Sequence, residues 1–124
     1  MNKNRHIYLS GPMTGIPRSE YQRKFREAER ILHRHGYGVI NPCRVWPCRF
    51  PWLYRLMNAL LGKRLAYAVI LAYDLILLMT RADGIAMLPG WQASRGARIE
   101  NYTASHFPMM GISRAATEEI EKIK

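Results

Sequence analysis

The first 42 residues follow the pattern of a strand, a helix and a second strand, which constrains the fold more than any other feature. A β-prone run at 6–10 precedes a segment whose apolar residues are spaced four, three and four apart, a spacing typical of one helix face. A second β-prone run at 37–40 ends at Asn41-Pro42. Two strands joined in this way are predicted to be parallel, with a right-handed crossover.

The remaining residues continue the alternation of helices and strands. We predict a short helix at 51–61, a long helix at about 65–80, a buried strand at 84–87 and a helix from Ser94 to about His106. A last short strand within 107–112 and a final helix from Ser113 would follow, and Ser19-x-x-Gln22 is predicted to cap the first helix. The sequence therefore indicates the α/β class, with a small flavodoxin-like or Rossmann-like parallel sheet flanked by helices. At 124 residues we expect one domain over 1–124.

Charge favours some partners over others. The chain has 19 Lys and Arg residues against 9 Asp and Glu residues, which gives a net charge of +10 and favours anionic ligands such as phosphates. No signature of a nucleic-acid-binding module is present, so a nucleic-acid partner is not expected. We expect no secretory signal, and two cysteines cannot form a four-ligand zinc site unaided. We expect a cytoplasmic protein without a metal.

Two segments have more than one interpretation. Leu65–Met79 is apolar except for Asp74, but it is shorter than the about 20 residues that span a bilayer. We therefore expect a buried helix and no membrane partner. Residues 43–64 combine prolines, tryptophans and basic side chains, which fits a lid over a site, a subunit contact, a membrane-surface patch or a packed excursion.

The stretch from Leu88 to Glu100 is the most specific indication of function. It leads from a predicted strand into a predicted helix, the position where open α/β sheets bind ligands and where backbone N–H groups favour anionic oxygens. The ends of the first two strands should reach the same crevice. The residues expected there are Tyr8, Ser10, Gly11, Met13, Thr14, Asn41, Gly90, Ser94, Gly96 and Glu100.

Two acidic residues are candidates for catalysis. Asp74 lies in an apolar run, where a carboxyl group is costly unless it is hydrogen-bonded or functional. A residue such as Glu100, taken by itself, is more often a solvated helix carboxylate. Together they suggest a carboxylate pair, with one nucleophile and one acid, as in retaining glycosidic chemistry.

Several short motifs, taken in order, resemble the nucleoside 2-deoxyribosyltransferase-like superfamily. The likeness is greatest to an uncharacterised phage and bacterial branch that carries Leu-Pro-Gly-Trp, and it covers roughly 1–42 and 70–106. The characterised relatives are nucleoside 2-deoxyribosyltransferases and 2′-deoxynucleoside 5′-phosphate N-hydrolases. The motifs are Tyr8-Leu9-Ser10-Gly11-Pro12-Met13-Thr14-Gly15, Asn41-Pro42, Asp74-Leu75, Ala82-Asp83-Gly84-Ile85, Leu88-Pro89-Gly90-Trp91 and Ser94-x-Gly96-Ala97-x-x-Glu100.

This resemblance implies roles for individual residues. Glu100 matches a nucleophile that attacks the deoxyribose anomeric carbon, Asp74 matches a proton donor to the departing base, and Tyr8 matches a residue that orients the nucleophile. Sugar- and phosphate-binding segments are matched by Ser10, Gly11, Thr14, Ser94 and Gly96. Arg98 departs from the N-hydrolase branch, which has glycine there, and would either bind a phosphate or close the pocket. The resemblance implies no metal or cofactor and a homodimer or larger homo-oligomer.

The predicted function is cleavage or exchange of the N-glycosidic bond of a (deoxy)nucleoside 5′-monophosphate. This makes the chain a nucleotide N-glycosidase or a nucleoside deoxyribosyltransferase, with hydrolysis favoured because the positive charge suits a phosphorylated substrate. One alternative is a protein that binds a nucleotide or nucleotide-derived signal without cleaving it. Another is an interaction protein that uses residues 43–64 on nucleic acid or a membrane.

Overall fold

A central sheet of three parallel strands organises the protein. The computed structural model describes residues 5–13, 16–44, 51–107 and 109–123. Strands β1 (His6–Ser10), β2 (Gly38–Ile40) and β3 (Gly84–Met87) lie in the order β2-β1-β3. In the register of the sheet, Tyr8 lies opposite both Ile40 and Ile85. This order matches the start of the flavodoxin-like arrangement, and the predicted α/β class with a parallel sheet is confirmed.

Helices cover both faces of the sheet. Within the described ranges these are α1 (Arg18–Arg34), α2 (Pro51–Leu61), α3 (Lys63–Arg81), α4 (Arg95–Ala104) and α5 (Arg114–Glu121). Helices α1 and α5 cover one face, α3 and α4 cover the other, and α2 packs against α3. Short 3-10 turns at Pro42–Arg44 and Trp91–Ala93 follow β2 and β3.

The alternating side chains of β1 separate two hydrophobic clusters, because successive residues of a strand point to opposite faces. Ile7 and Leu9 pack with Phe25 and Leu32 of α1 and with side chains of α5. Tyr8 lies in the other cluster, with residues of α3 and α4. Tyr8 and Ser10 therefore point toward α3 and α4 from the middle of the sheet, and both are buried.

Helix α3, which the sequence predicts as a buried helix, is buried along one side only. Leu77 and Leu78 face the sheet, whereas Ile76 and Met79 are exposed. The sheet and α4 cover one side of the helix, and α2 packs along part of it. Across the described part of the chain, no helix combines the length and apolar content needed to cross a bilayer.

Three local predictions need correction or remain open. Ser19 does not cap α1, because the helix already begins at Arg18 and its N-cap residue, Pro17, has no side chain that can accept a hydrogen bond. The strand predicted within 107–112 is reduced to a single parallel bridge between Gly84 and Met110. Part of the 43–64 segment, residues 45–50, lies outside the described residues; farther along, α2 buries Met57 while Trp52 is 62% exposed.

Candidate active site

The site begins with the carboxylate of Glu100, which is buried at the sixth position of α4. The Tyr8 hydroxyl donates a 2.5 Å hydrogen bond to Glu100 Oε2, and the Ser10 hydroxyl donates a 2.6 Å hydrogen bond to Oε1. Both donors come from β1, two residues apart, so the sheet holds them on one face. Each oxygen of the carboxylate thus has a hydroxyl partner, and its position is fixed by the rigid centre of the fold.

Asp74 brings a second carboxyl group to the same side of the sheet. It lies on α3, is only 9% exposed, and no donor in the described ranges reaches its Oδ1 atom. Burial, and secondly the charge of Glu100, raise the pKa of Asp74 to about 8. A buried carboxyl group without a partner on one oxygen is costly as an anion, so Asp74 keeps its proton at neutral pH.

The surroundings of the two acids favour different protonation states. Burial raises the pKa of Glu100, but the hydrogen bonds from Ser10 and Tyr8 oppose that rise. Hydrogen bonds to a carboxylate stabilise its charged form. The negative charge of the pair is therefore best held by Glu100 and the proton by Asp74. In a pair with different protonation states, the charged member can act as a base or nucleophile and the protonated member as an acid.

The loop after β1 and the end of β2 contribute less to this site than predicted. Ser10 contacts Glu100 itself. A β-carbon on Gly11 would approach Leu88 Cβ to 2.8 Å, so Gly11 permits close packing of the loop. The Met13 side chain packs against the hydrophobic cluster of α1 and α5. Thr14 lies outside the described residues.

Asn41 is used within the protein. Its amide nitrogen donates to Glu29 Oε1 at 3.0 Å, and its Oδ1 accepts from the backbone N–H of Cys43 at 2.9 Å. The side chain is buried. It therefore fixes the chain after β2, and its polar atoms are already occupied.

The first turn of α4 supplies backbone donors beside the acids. Gly90 has a φ of +85° in the turn after β3, a conformation that favours glycine. The Ser94 hydroxyl accepts the N–H of Ala97 at 3.3 Å and so caps α4. Gly96 lies in the same turn. Arg98 is exposed, and because it is two residues before Glu100, it lies on a different side of the helix. Gly96, four residues before Glu100, thus shares its side of α4, whereas Arg98 does not.

Tyr67 lies in the same site as the two acids, and it was not predicted from the sequence. Its hydroxyl oxygen lies 2.9 Å from the position that a β-carbon on Gly96 would take. Arg95, Glu100 and Asp74 all act electrostatically on it. The available signal was its spacing from Asp74, since residues seven apart share a helix face.

A cleft lies apart from the two acids. This cleft of about 470 Å³ lies between the β3–α4 connection and α5, lined by residues that include Met87, Trp91, Thr117 and Glu121, and it does not include the two acids. In the described ranges, no group of three or more His, Cys, Asp and Glu side chains could hold a metal.

Comparison with known proteins identifies a family. No curated protein and no solved structure matches the chain. A family model described as "Domain of unknown function (DUF4406)" matches residues 5–112, a range that contains Tyr8, Ser10, Asp74 and Glu100. Because the match covers most of the 124 residues, the chain belongs to the DUF4406 family.

Proposed function

We propose that this protein cleaves or exchanges the N-glycosidic bond of a (deoxy)nucleoside 5′-monophosphate. One observation carries the proposal: the buried Glu100 carboxylate is oriented by hydroxyl groups on both oxygens, and a second buried carboxyl group, that of Asp74, lies close enough to interact with it electrostatically. A fixed nucleophile and a proton donor are the two groups that retaining glycosidic cleavage requires. The resemblance to the nucleoside 2-deoxyribosyltransferase-like superfamily supports the same chemistry.

In the first step, a Glu100 oxygen attacks C1′ of the sugar while the bond from C1′ to the base nitrogen breaks. The electron pair of that bond leaves with the base, and the base takes the proton of Asp74. The products are a glycosyl ester on Glu100, a free base and an ionised Asp74. Tyr8 and Ser10 keep the carboxylate oriented during the attack, which lowers the entropic cost of the step.

In the second step, an acceptor releases the sugar. Asp74, now ionised, takes a proton from water, and the water oxygen bonds to C1′ as the ester bond to Glu100 breaks. This restores both acids and gives the sugar phosphate. If a second base replaces water, its nitrogen attacks C1′ and its proton goes to Asp74, so the outcome is base exchange.

The phosphorylated substrate is supported by charge and by the start of α4. A net charge of +10 attracts anions, and the first turn of a helix offers unpaired N–H groups to anionic oxygens. Ser94 and Gly96 lie in or beside that turn. We propose hydrolysis in the cytoplasm, by a homodimer or larger homo-oligomer that needs no metal or cofactor.

A second candidate function is nucleotide binding without cleavage. The hydrogen bonds that orient Glu100 also stabilise its charge, and a stabilised carboxylate is a weaker nucleophile. In that case the same pocket would retain an intact nucleotide or nucleotide-derived signal. Its ligand would raise the melting temperature and be recovered unchanged after long incubation.

The test is chromatography of a panel of nucleosides, nucleoside monophosphates and NAD-like compounds after incubation with the protein. We expect free base from at least one deoxynucleoside monophosphate, and Glu100→Gln should reduce its release by about 10⁴-fold or more, as losing a nucleophile does elsewhere. Glu118→Gln is the matched control, because that side chain is 59% exposed and lies outside the site. Equal rates for the wild type and Glu100→Gln would refute the nucleophile assignment.

A further inference from the structure

The position of Tyr67 joins the two helices that form the site. It lies on α3 seven residues before Asp74, and this spacing gives the two side chains one face of the helix. Its hydroxyl oxygen would lie 2.9 Å from a β-carbon on Gly96. The hydroxyl group therefore lies against the backbone of the first turn of α4, where only a glycine leaves it room.

The Tyr67 hydroxyl is available to a ligand. The residue is partly buried, and within the described ranges no protein group forms a hydrogen bond with this hydroxyl. Burial raises the pKa of Tyr67; the charge of Arg95 lowers it, and those of Glu100 and Asp74 raise it further. At neutral pH the group is thus a neutral phenol that can donate its proton.

Two neighbours of this hydroxyl favour an anionic oxygen, namely the start of α4 and Arg95. The first N–H groups of a helix have no partner within it, and the positive end of the helix dipole favours negative charge there. Arg95, the first residue of α4, adds a cation. The buried Oδ1 atom of Asp74, which has no donor in the described ranges, is a second polar group of the site left for a ligand.

We propose that Tyr67 is a specificity-determining residue, whose hydroxyl donates a hydrogen bond to the phosphate of a nucleoside 5′-monophosphate at the start of α4. This inference rests on the proposed function and extends it, because it names the side chain that distinguishes the nucleotide from the nucleoside. Asp74 and Glu100 act on the sugar and base, whereas Tyr67 holds the opposite end of the ligand. Gly96 is then required because a side chain there would displace the hydroxyl.

The first experiment uses Tyr67→Phe, which removes a single oxygen. Base release is measured for a deoxynucleoside 5′-monophosphate and for the matching deoxynucleoside. We expect KM for the nucleotide to rise about tenfold or more, the effect of losing a hydrogen bond to a charged group, with kcat nearly unchanged. The kinetics of the nucleoside should stay the same. Tyr102→Phe is the matched control, because Tyr102 lies on α4 but is 68% exposed.

A second variant tests the contact with Gly96. Gly96→Ala should displace the Tyr67 hydroxyl and raise KM for the nucleotide in the wild-type background. In the Tyr67→Phe background the displaced atom is already gone, so the additional effect of Gly96→Ala should be much smaller. Such non-additivity is the expected sign of two groups in contact, whereas fully additive effects would contradict the proposal.

The outcomes separate this inference from the proposed function. If Tyr67→Phe lowers kcat equally for both substrates, or changes nothing, the phosphate contact is refuted while cleavage stands. If the wild type releases no base from any substrate, cleavage fails, and thermal stabilisation by a deoxynucleoside monophosphate and by inorganic phosphate becomes the readout. Reduced stabilisation of Tyr67→Phe would then support the contact; unchanged stabilisation, or none in the wild type, would overturn it.

Discussion

The two faces of strand β1 differ in what they bury. On the side of α1 and α5, Ile7 and Leu9 enter a cluster of apolar side chains. On the side of α3 and α4, Tyr8 and Ser10 present hydroxyl groups to Glu100. One strand can therefore stabilise the fold through one set of alternate residues and position the candidate site through the other set.

The largest expected effect on stability is on the apolar face. Phe25→Ala removes a fully buried ring from α1 and should lower the free energy of unfolding by about 3–5 kcal/mol. Turnover per folded molecule should not change, because Phe25 is on the face away from the acids. Urea denaturation measures the loss. Phe107→Ala is the control, since Phe107 is 40% exposed; an equal loss in both variants would contradict the comparison.

The next effect is on the polar face and should leave the fold intact. Asp74→Asn removes the proposed proton donor, so kcat should fall by about a hundredfold, in the range for general acid catalysis. Stability at neutral pH should stay about the same, because asparagine has nearly the shape of protonated Asp74 and keeps the oxygen that has no partner in the described ranges. Asp83→Asn makes the same change in the other aspartate of the chain, which is exposed. Unchanged kinetics in Asp74→Asn would make that residue a structural acid only.

Asp74 should also make stability depend on pH. Its pKa is raised from 3.8 to about 8 in the folded protein, so between these values the folded state binds more protons than the unfolded state. The free energy of unfolding should therefore fall as pH rises from about 5 to 8, by at most about 1.4 kcal/mol per pH unit from this group. The raised pKa of Glu100 acts in the same direction.

Urea denaturation at several pH values checks this dependence. The slope should be smaller in Asp74→Asn than in the wild type over pH 5–8. The pKa of Glu119 is lowered, mainly by its hydrogen bond to His35. Glu119 therefore changes the free energy of unfolding in the opposite direction, and at more acidic pH. Identical slopes in both proteins would show that Asp74 is not neutral in the folded state.

The smallest expected effect concerns the N-caps of two helices that lie on opposite faces of the sheet. Ser94 caps α4 and Ser113 caps α5, each by accepting a backbone N–H three residues later, at 3.3 and 3.2 Å. Replacing either by alanine should lower the free energy of unfolding by about 1 kcal/mol. Only Ser94→Ala should also raise KM for a nucleotide, because α4 begins at the site. A similar change of KM in Ser113→Ala would contradict this division of roles.

Most of the fold could be predicted from local patterns. The runs at 6–10 and 84–87 and the helix at 51–61 match the observed elements, because they are short apolar or amphipathic runs bounded by Gly or Pro. The cap at Ser19 was wrong because the observed N-cap, Pro17, lies two residues before it. The strand at 107–112 was wrong because pairing depends on a distant partner, and among the described residues of this segment only Met110 pairs with Gly84.

The candidate site was harder to predict in detail. Tyr8 and Glu100 form a hydrogen bond although they are 92 positions apart in the sequence. The resemblance to a family indicated this contact, which residue spacing could not. Asn41 was expected to face a ligand, but its side chain forms a hydrogen bond with Glu29. Nothing in the neighbouring sequence indicates this contact. Tyr67 was missed because an aromatic residue in an apolar helix usually belongs to the core.

The most direct test of the nucleophile is the mass of the intact protein after rapid acid quenching during turnover of a deoxynucleoside 5′-monophosphate. We predict a covalent increase equal to the deoxyribosyl phosphate, located on the peptide that contains Glu100 and absent from Glu100→Gln. Steady release of base with no adduct on the wild-type protein, and at the same rate in Glu100→Gln, would contradict the account.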